Sequence, residues 1–104
     1  MGSVPKAALL SPDEIDDRLA TLDGWSRDGD AIVKRFTFAD FAEALAFVNR
    51  IAEPAGAMNH HPDVSIHWNE VALRLWTHAS GGLTHKDFDL ARAIDERAGA
   101  QNGD

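Results

Sequence analysis

Three of the five histidines in this sequence stand in two short segments with residues suited to catalysis. His60 and His61 are adjacent and are followed by Pro62, which keeps the backbone before it extended. His78 stands at the end of a predicted strand, directly before a flexible stretch at residues 79–82. Because the ordinary pKa of histidine, about 6.5, lies near neutral pH, an imidazole both donates and accepts protons there. If the two segments meet at one edge of a sheet, the three imidazoles can face one pocket and act as general acids and bases.

Spacing alone leaves other interpretations of the histidines open. An adjacent histidine pair in a loop is often only solvated, and three imidazoles with a water molecule can hold zinc. Neighbouring residues rarely both bind one ion, however, and the sequence has no His-x-x-x-His pattern. We expect His67 and His85 to be solvated surface residues. Trp76 shares a predicted strand face with His78 and offers a flat apolar wall for a ring-shaped ligand.

Other catalytic chemistries have weaker support. The sequence has no cysteines, which excludes thiolate nucleophiles, disulfides and cysteine-bound zinc. It has no Gly-x-Ser-x-Gly elbow and no glycine-rich phosphate loop, and Ser65 and Ser80 have no obvious orienting carboxylate. Asp63 is the one carboxylate in the loops near the histidines. General acid–base chemistry by imidazole is what remains.

Composition and charge describe a small acidic globular protein. Of the 104 residues, 44% are hydrophobic and 26% are charged, and the formal net charge is -7. Such a surface repels phosphate backbones, so we expect no direct binding to nucleic acid. No apolar run approaches the length that spans a membrane, and the start lacks a secretory-signal pattern. We therefore expect a cytoplasmic protein, either an enzyme for small molecules or a protein-binding module.

Apolar spacing and turn signals predict one domain over residues 1–104, with an ordered core of about 9–98 and the element order α-β-β-α-β-β-α. The predicted elements are a helix from a capping box at residues 11–14 to Gly24, strands 25–27 and 31–38, a helix from Thr37 or Asp40, strands 64–68 and 71–77, and a helix capped by residues 84–87. The turns within the two strand pairs are expected at residues 28–30 and 69–70. Two hairpins indicate an α+β fold, with a four-stranded antiparallel sheet and the helices packed on one face.

Each long helix is expected to bury one apolar stripe. This stripe comprises Phe41, Leu45, Val48 and Ala52 in the second helix, and Leu90, Ile94 and Ala98 in the third. Pro54 lacks an amide hydrogen and Gly56 follows it closely, so we expect the second helix to kink or to end early there.

Four groups of residues carry a family resemblance. They are Asn59-His60-His61-Pro62-Asp63, His67-Trp68-Asn69, Leu75-Trp76-Thr77-His78, and Gly82-Leu83-Thr84 with Lys86-Asp87. Together they resemble the pterin-4a-carbinolamine dehydratases. The similarity extends upstream through residues 22–25, 36–38 and 40–41, and so covers nearly the whole chain in the predicted element order.

The resemblance implies a reaction and the residues that perform it. The reaction is dehydration of 4a-hydroxytetrahydropterin to quinonoid dihydropterin, a step of tetrahydrobiopterin recycling, with no metal and no organic cofactor. By position, His60, His61 and His78 would be the catalytic residues. The substrate-binding residues would be Asn59, His60, His61, Pro62, Trp76, Thr77, His78 and Ala79. We interpret His60 and His78 as the pair that exchanges acid and base roles, and His61 as the residue that positions the substrate.

The resemblance also implies subunits that associate through sheet edges and helices into homodimers or homotetramers. Some relatives serve as dimerisation cofactors or assembly factors, so a non-catalytic protein-binding module on the same fold is the alternative function. Four departures from the family pattern stand near the histidines: Pro54, Gly56, Asn59 and Trp76. Gly56 occupies a position, four before His60, that usually carries a charged side chain, and Trp76 is bulkier than the small polar residue common at its position.

Overall fold

Four antiparallel strands form one sheet in the computed structural model, which describes residues 7–102. The strands are β1 (Ser26–Asp28), β2 (Ala31–Thr37), β3 (Asp63–His67) and β4 (Glu70–Leu75). Their order across the sheet is β1-β2-β4-β3, so each hairpin keeps its two strands together and β2 pairs with β4 in the centre. In that central pair Ile32 lies opposite Leu75, and Phe36 lies opposite Val71.

Three helices complete the fold: α1 (Pro12–Leu19), α2 (Phe41–Met58) and α3 (His85–Asn102). The order α-β-β-α-β-β-α and the α+β fold class are therefore confirmed. Within the described residues, no helix is long and apolar enough to cross a membrane. Residues 1–6 and 103–104, which belong to the two ends expected to be loose, lie outside the described residues.

The helices cover one face of the sheet, and this face carries the core. On β4 the buried residues Val71, Leu73 and Leu75 alternate with partly exposed ones, as packing on a single face requires. α2 packs against β4 and against α3. The predicted α3 stripe of Leu90, Ile94 and Ala98 is buried.

The predicted buried face of α2 is wrong. The residues that α2 buries are Ala44, Phe47, Ile51, Pro54 and Ala55. In the predicted stripe, Ala52 is exposed, Val48 is half-buried, and Phe41 and Leu45 are 48% and 41% exposed. Both sets have helical spacing and lie on adjacent sides of the helix, so periodicity does not choose between them. Aromatic packing does, because the Phe47 ring lies 4.9 Å from the ring centroids of both Phe36 and Phe38.

Of the two starts predicted for α2, the structure shows the one at Asp40, and the predicted early end at Pro54 is wrong. The helix begins after Asp40, whose carboxylate accepts a hydrogen bond from the Glu43 backbone N–H at 2.9 Å. Thr37 is the last residue of β2 and is not the cap of α2. An early end at Pro54 does not occur, since α2 continues to Met58 with the proline ring buried in the core. Burial of this ring offsets part of the roughly 3 kcal/mol that proline costs inside a helix.

The turn between β3 and β4 is shifted by one residue from its predicted place. His67 pairs with Glu70, so the turn residues are Trp68 and Asn69. Trp68 has a φ of 51°, an unusual value for a bulky residue, and its side chain is 67% exposed. Asn69 stabilises the turn from the other side: its side-chain amide donates to the Phe38 carbonyl at 2.9 Å, and the Phe38 N–H donates to the Asn69 carbonyl at 2.8 Å.

The first helix begins with the predicted capping box. The Ser11 hydroxyl accepts from the Glu14 N–H at 3.2 Å, and the Ser11 N–H donates to the Glu14 carboxylate at 2.8 Å. That backbone hydrogen bond from Ser11 holds the pKa of Glu14 below its ordinary value. The box sets the direction in which the chain enters α1, and α1 buries Ile15 in the core.

Candidate active site

The C-terminal end of α2 places His60. Asn59 follows the helix in the left-handed conformation, with a φ of 50°, which asparagine tolerates better than most residues. The His60 N–H then donates to the Ala55 carbonyl at 3.0 Å and closes the helix end. This reversal leaves the His60 side chain only 10% exposed.

The chain after β4 places Thr77 and His78. The Thr77 N–H donates to the Gly82 carbonyl at 3.0 Å, which closes a small loop around the 3-10 turn His78–Ser80. Gly81 has a φ of 77°, a value that favours glycine. The Ser80 hydroxyl donates to the Ala7 carbonyl at 2.6 Å, so the loop is also tied to the segment before α1.

A buried carboxylate joins these two segments. Asp87, in the first turn of α3, is fully buried, and its Oδ1 lies 2.6 Å from His60 Nε2. Its Oδ2 accepts from the Thr77 hydroxyl at 2.9 Å and from the Thr84 backbone N–H at 3.0 Å. The Thr77 and Thr84 hydroxyl oxygens are 2.8 Å apart, and the Lys86 N–H donates to the Thr84 hydroxyl at 3.2 Å. Each polar group in this cluster therefore has a partner, as a buried network requires.

The hydrogen bonds of this cluster indicate which group is the donor at each contact around His60. Because the Thr77 hydroxyl proton goes to Asp87, the Thr84 hydroxyl is the donor between the two threonines. An ionised carboxylate is only an acceptor, so His60 presents Nε2–H to Asp87, and the lone pair of the neutral form of the imidazole is then on Nδ1. In that neutral form, Nδ1 is the ring nitrogen of His60 with a free lone pair.

The other two histidines of the site are held differently. His78 is exposed, and its ring stacks on the Trp76 indole with centroids 3.9 Å apart and planes at 33°. His61 is exposed too. Among the described residues, neither of these two imidazoles has a hydrogen bond or an ion pair.

One cleft of about 530 Å³ brings the predicted site residues together. It is lined by Asn59, His60, His61, Pro62, Asp63, Trp76, Thr77, His78, Ala79 and Lys86. All eight residues predicted to bind substrate are in this set. Among residues 7–102, no three His, Cys, Asp or Glu side chains form a group that could hold a metal ion.

Asp87 contacts a predicted site residue but was not among the site residues predicted from the sequence. The pattern Thr84-x-x-Asp87 was explained by its position as a helix start, and the structure does show Asp87 accepting from the Thr84 N–H there. One carboxylate serves both the helix start and His60, and only the packing of α3 beside the end of α2 reveals the second contact.

A second concave surface lies on the open face of the sheet. It measures about 550 Å³ and is lined by residues of all four strands, including Asp28 and Arg74. These two form an exposed ion pair at 2.7 Å, of a kind that contributes about 0–1 kcal/mol. The surface contains no histidine and no buried polar network, so the histidine cleft is the stronger candidate for a catalytic site.

Comparison with known proteins shows the family of the chain. The family model described as Pterin 4 alpha carbinolamine dehydratase matches residues 8–97. A protein from Thermosynechococcus vestitus named "Putative pterin-4-alpha-carbinolamine dehydratase" is 50% identical over 92 residues, which are 88% of this chain and 97% of that protein. A protein of the same name from Roseiflexus castenholzii is 53% identical over 90 residues, 86% of this chain and 97% of the relative.

Two solved structures resemble the fold. The crystal structure of a transcriptional coactivator/pterin dehydratase from Brucella melitensis has a TM-score of 0.83 and 35% identity, and the match covers 86% of this chain and 98% of that one. A pterin dehydratase-like protein identified as a RuBisCO assembly factor in the alpha-carboxysome has a TM-score of 0.60, over 72% of this chain and 87% of the other. At 22% identity, the second similarity concerns the fold alone. The family model matches residues 8–97, and about half of the aligned residues are identical in relatives that are covered over 97% of their length, so the chain belongs to the pterin-4a-carbinolamine dehydratase family.

Proposed function

We propose that this protein dehydrates a 4a-hydroxytetrahydropterin to quinonoid dihydropterin and water, as a step of pterin recycling. The observation that carries the proposal is the cleft itself. It combines three histidines, one of them hydrogen-bonded to a buried carboxylate, in a chain of the dehydratase family. Its volume of about 530 Å³ lies within the usual range of small-molecule sites and suits a bicyclic ring.

The reaction needs two proton transfers. The bond from C4a to its hydroxyl oxygen breaks as that oxygen gains a proton and leaves as water. The ring nitrogen beside C4a loses its proton, and the electron pair of that N–H bond forms the new carbon–nitrogen double bond. The atoms and charges balance without an oxidant, a reductant or a metal, so two suitably placed imidazoles are sufficient.

The hydrogen bonds favour a division of roles between His60 and His78. His60, with its Nε2–H given to Asp87, is the base that takes the nitrogen proton at Nδ1. His78 is the acid that protonates the departing hydroxyl. After one turnover His60 is charged and His78 is neutral, and proton exchange with water restores the starting state. His61, exposed at the cleft, positions the pterin.

We further propose that residues 59–62 and 76–79 contact the pterin, partly through backbone groups. The Thr77 hydroxyl is already committed to Asp87, so the contact from this residue is made by its backbone. Lys86 also lines the cleft, and its ammonium group has no ion pair or hydrogen bond among the described residues. It is available for an acceptor on the substrate.

The proposal is tested by mixing the purified protein with freshly generated 4a-hydroxytetrahydropterin and following the absorbance change in a stopped-flow instrument. The wild-type protein is expected to accelerate dehydration, and His78→Gln is expected to lose roughly 10²–10⁴-fold in kcat. His67→Gln is the matched control, because His67 is exposed at the far end of β3 and does not line the cleft. No acceleration by the wild-type protein, or an equal loss in the control, contradicts the proposal.

The exposed side of α2 supports a second proposal, that the protein forms homodimers or homotetramers. Phe41 and Leu45, one helical turn apart, are 48% and 41% exposed on this side and together form an exposed apolar patch, a feature that can mark an interaction site. A second copy of the chain would cover them. The alternative function, a module that binds a different protein, would use the same side chains, and a Brucella melitensis relative is named a transcriptional coactivator/pterin dehydratase.

A further inference from the structure

His78 lacks the restraint that His60 has. His60 is fixed by a 2.6 Å contact with a fully buried carboxylate. The exposed His78 ring has no hydrogen bond among the described residues, and its one recorded side-chain interaction is the stack on Trp76 at 3.9 Å. An imidazole that transfers a proton must nevertheless hold its nitrogen in line with the reacting atom.

The backbone around Thr77 brings the two rings together. Trp76 and His78 flank Thr77, which is buried and bonded through its hydroxyl to Asp87. In an extended segment the residues before and after a given position point to the same side, so the indole and the imidazole project together. The loop closed between Thr77 and Gly82 keeps this arrangement in place.

We propose that Trp76 is a positioning residue for His78: its indole face restrains the imidazole rotation so that His78 meets the substrate in a productive orientation. This inference rests on the proposed dehydratase function. Trp76 lines the cleft as well, but the indole face that meets His78 is not open to a ligand. Its main effect on catalysis is therefore transmitted through His78 and not through stacking on the pterin.

The expected consequence appears in kcat. A misplacement of about 1 Å at a reacting group lowers the rate by as much as ~10²-fold. We expect Trp76→Leu, which keeps an apolar side chain but removes the aromatic face, to lower kcat by roughly 10–10²-fold with a much smaller change in KM. Trp76→Phe retains a ring and should recover most of the lost rate. Trp68→Leu is the matched control, because Trp68 lies in the turn at the opposite end of the β3–β4 hairpin.

A double-mutant cycle distinguishes action through His78 from direct action on the pterin. In a His78→Gln background there is no imidazole left to orient, so Trp76→Leu is expected to cause little further loss of kcat. An equal loss in both backgrounds overturns the proposal, since it would mean that Trp76 acts on the substrate or on the fold. A raised KM with an unchanged kcat in the single variant overturns it as well.

Proton NMR of the histidine ring provides a readout that does not require turnover. The indole ring current should shift the His78 carbon-bound ring protons upfield in the wild-type protein and in Trp68→Leu, but not in Trp76→Leu. Dehydration by a wild-type protein that shows no such shift refutes the stack and leaves the proposed function intact. A wild-type protein that shows the shift but no dehydration refutes the proposed function and, with it, the catalytic effect of Trp76.

Discussion

Replacement of Asp87 by asparagine removes the charge of the side chain and leaves its size and shape nearly unchanged. The carboxylate accepts three hydrogen bonds, one at Oδ1 from His60 and two at Oδ2 from Thr77 and Thr84. The Thr84 donor is a backbone N–H, which cannot become an acceptor. In Asp87→Asn the amide oxygen must therefore take the place of Oδ2, and the amide NH₂ group must face His60.

This orientation reverses the hydrogen bond to His60. Facing an NH₂ donor, His60 Nε2 becomes the acceptor, and the proton of the neutral ring moves to Nδ1. The nitrogen that we propose as the base then has no free electron pair. Asp87→Asn should thus retain the fold and the cleft while removing the function of one catalytic group.

The expected losses in kcat and in the free energy of unfolding follow from these contacts. Loss of one positioned base lowers kcat by roughly 10²–10⁴-fold, with KM changed far less. All three hydrogen bonds lose their charged acceptor, but the cost of burying that charge is removed as well, so the free energy of unfolding should fall by about 1–3 kcal/mol. A domain of this size loses roughly 4–8 °C in Tm per kcal/mol, so the variant should still be folded at 25 °C.

Stopped-flow dehydration gives kcat and KM for Asp87→Asn, and thermal unfolding followed by circular dichroism gives its stability. Nitrogen-15 NMR of labelled histidine reports which nitrogen of His60 carries the proton, and is expected to show Nε2–H in the wild-type protein and Nδ1–H in the variant. A folded Asp87→Asn protein with wild-type kcat would refute the role of the carboxylate. An unchanged His60 tautomer together with a large loss of kcat would refute the explanation by a change of tautomer.

Two further predictions concern α2. Gly56→Ala should raise the free energy of unfolding by about 0.4–1 kcal/mol, measured by urea unfolding, because Gly56 is helical and an added Cβ meets no atom within 4 Å. A decrease would contradict the open space that the structure shows around Gly56. Leu45→Gln should weaken self-association, measured by analytical ultracentrifugation, because the side chain is 41% exposed on the face that we propose a second copy covers. A protein that is monomeric without the substitution contradicts that proposal.

The sequence was most informative where one local pattern decided the outcome. The order of the elements, the sheet with the helices on one face and the α3 stripe could be predicted because capping residues, alternation and turn residues all agreed. A common pocket for the three histidines was a conditional expectation, which required the two segments to lie at one edge of the sheet. The structure places all three in one cleft, while their catalytic roles stay a prediction.

The sequence was least informative about packing and contacts that depend on segments far apart in the chain. The buried side of α2 depended on Phe47 meeting Phe36 and Phe38 of the β2 region, which no pattern within the helix reveals. The contact of Asp87 with His60 joins residues 27 positions apart, and the helix-capping role of Asp87 already explained its presence. Trp76 was expected to offer a flat wall to a ligand, and its stack on His78 became visible only with the side chains in place.

The central claim is that His60, oriented by Asp87, transfers a proton in the dehydration of a 4a-hydroxytetrahydropterin. The most direct measurement is kcat/KM for this reaction in the wild-type protein and in His60→Gln, under identical conditions. We predict acceleration by the wild-type protein and a ratio of roughly 10²–10⁴ between the two. A ratio near 1, with both proteins folded, would contradict the claim.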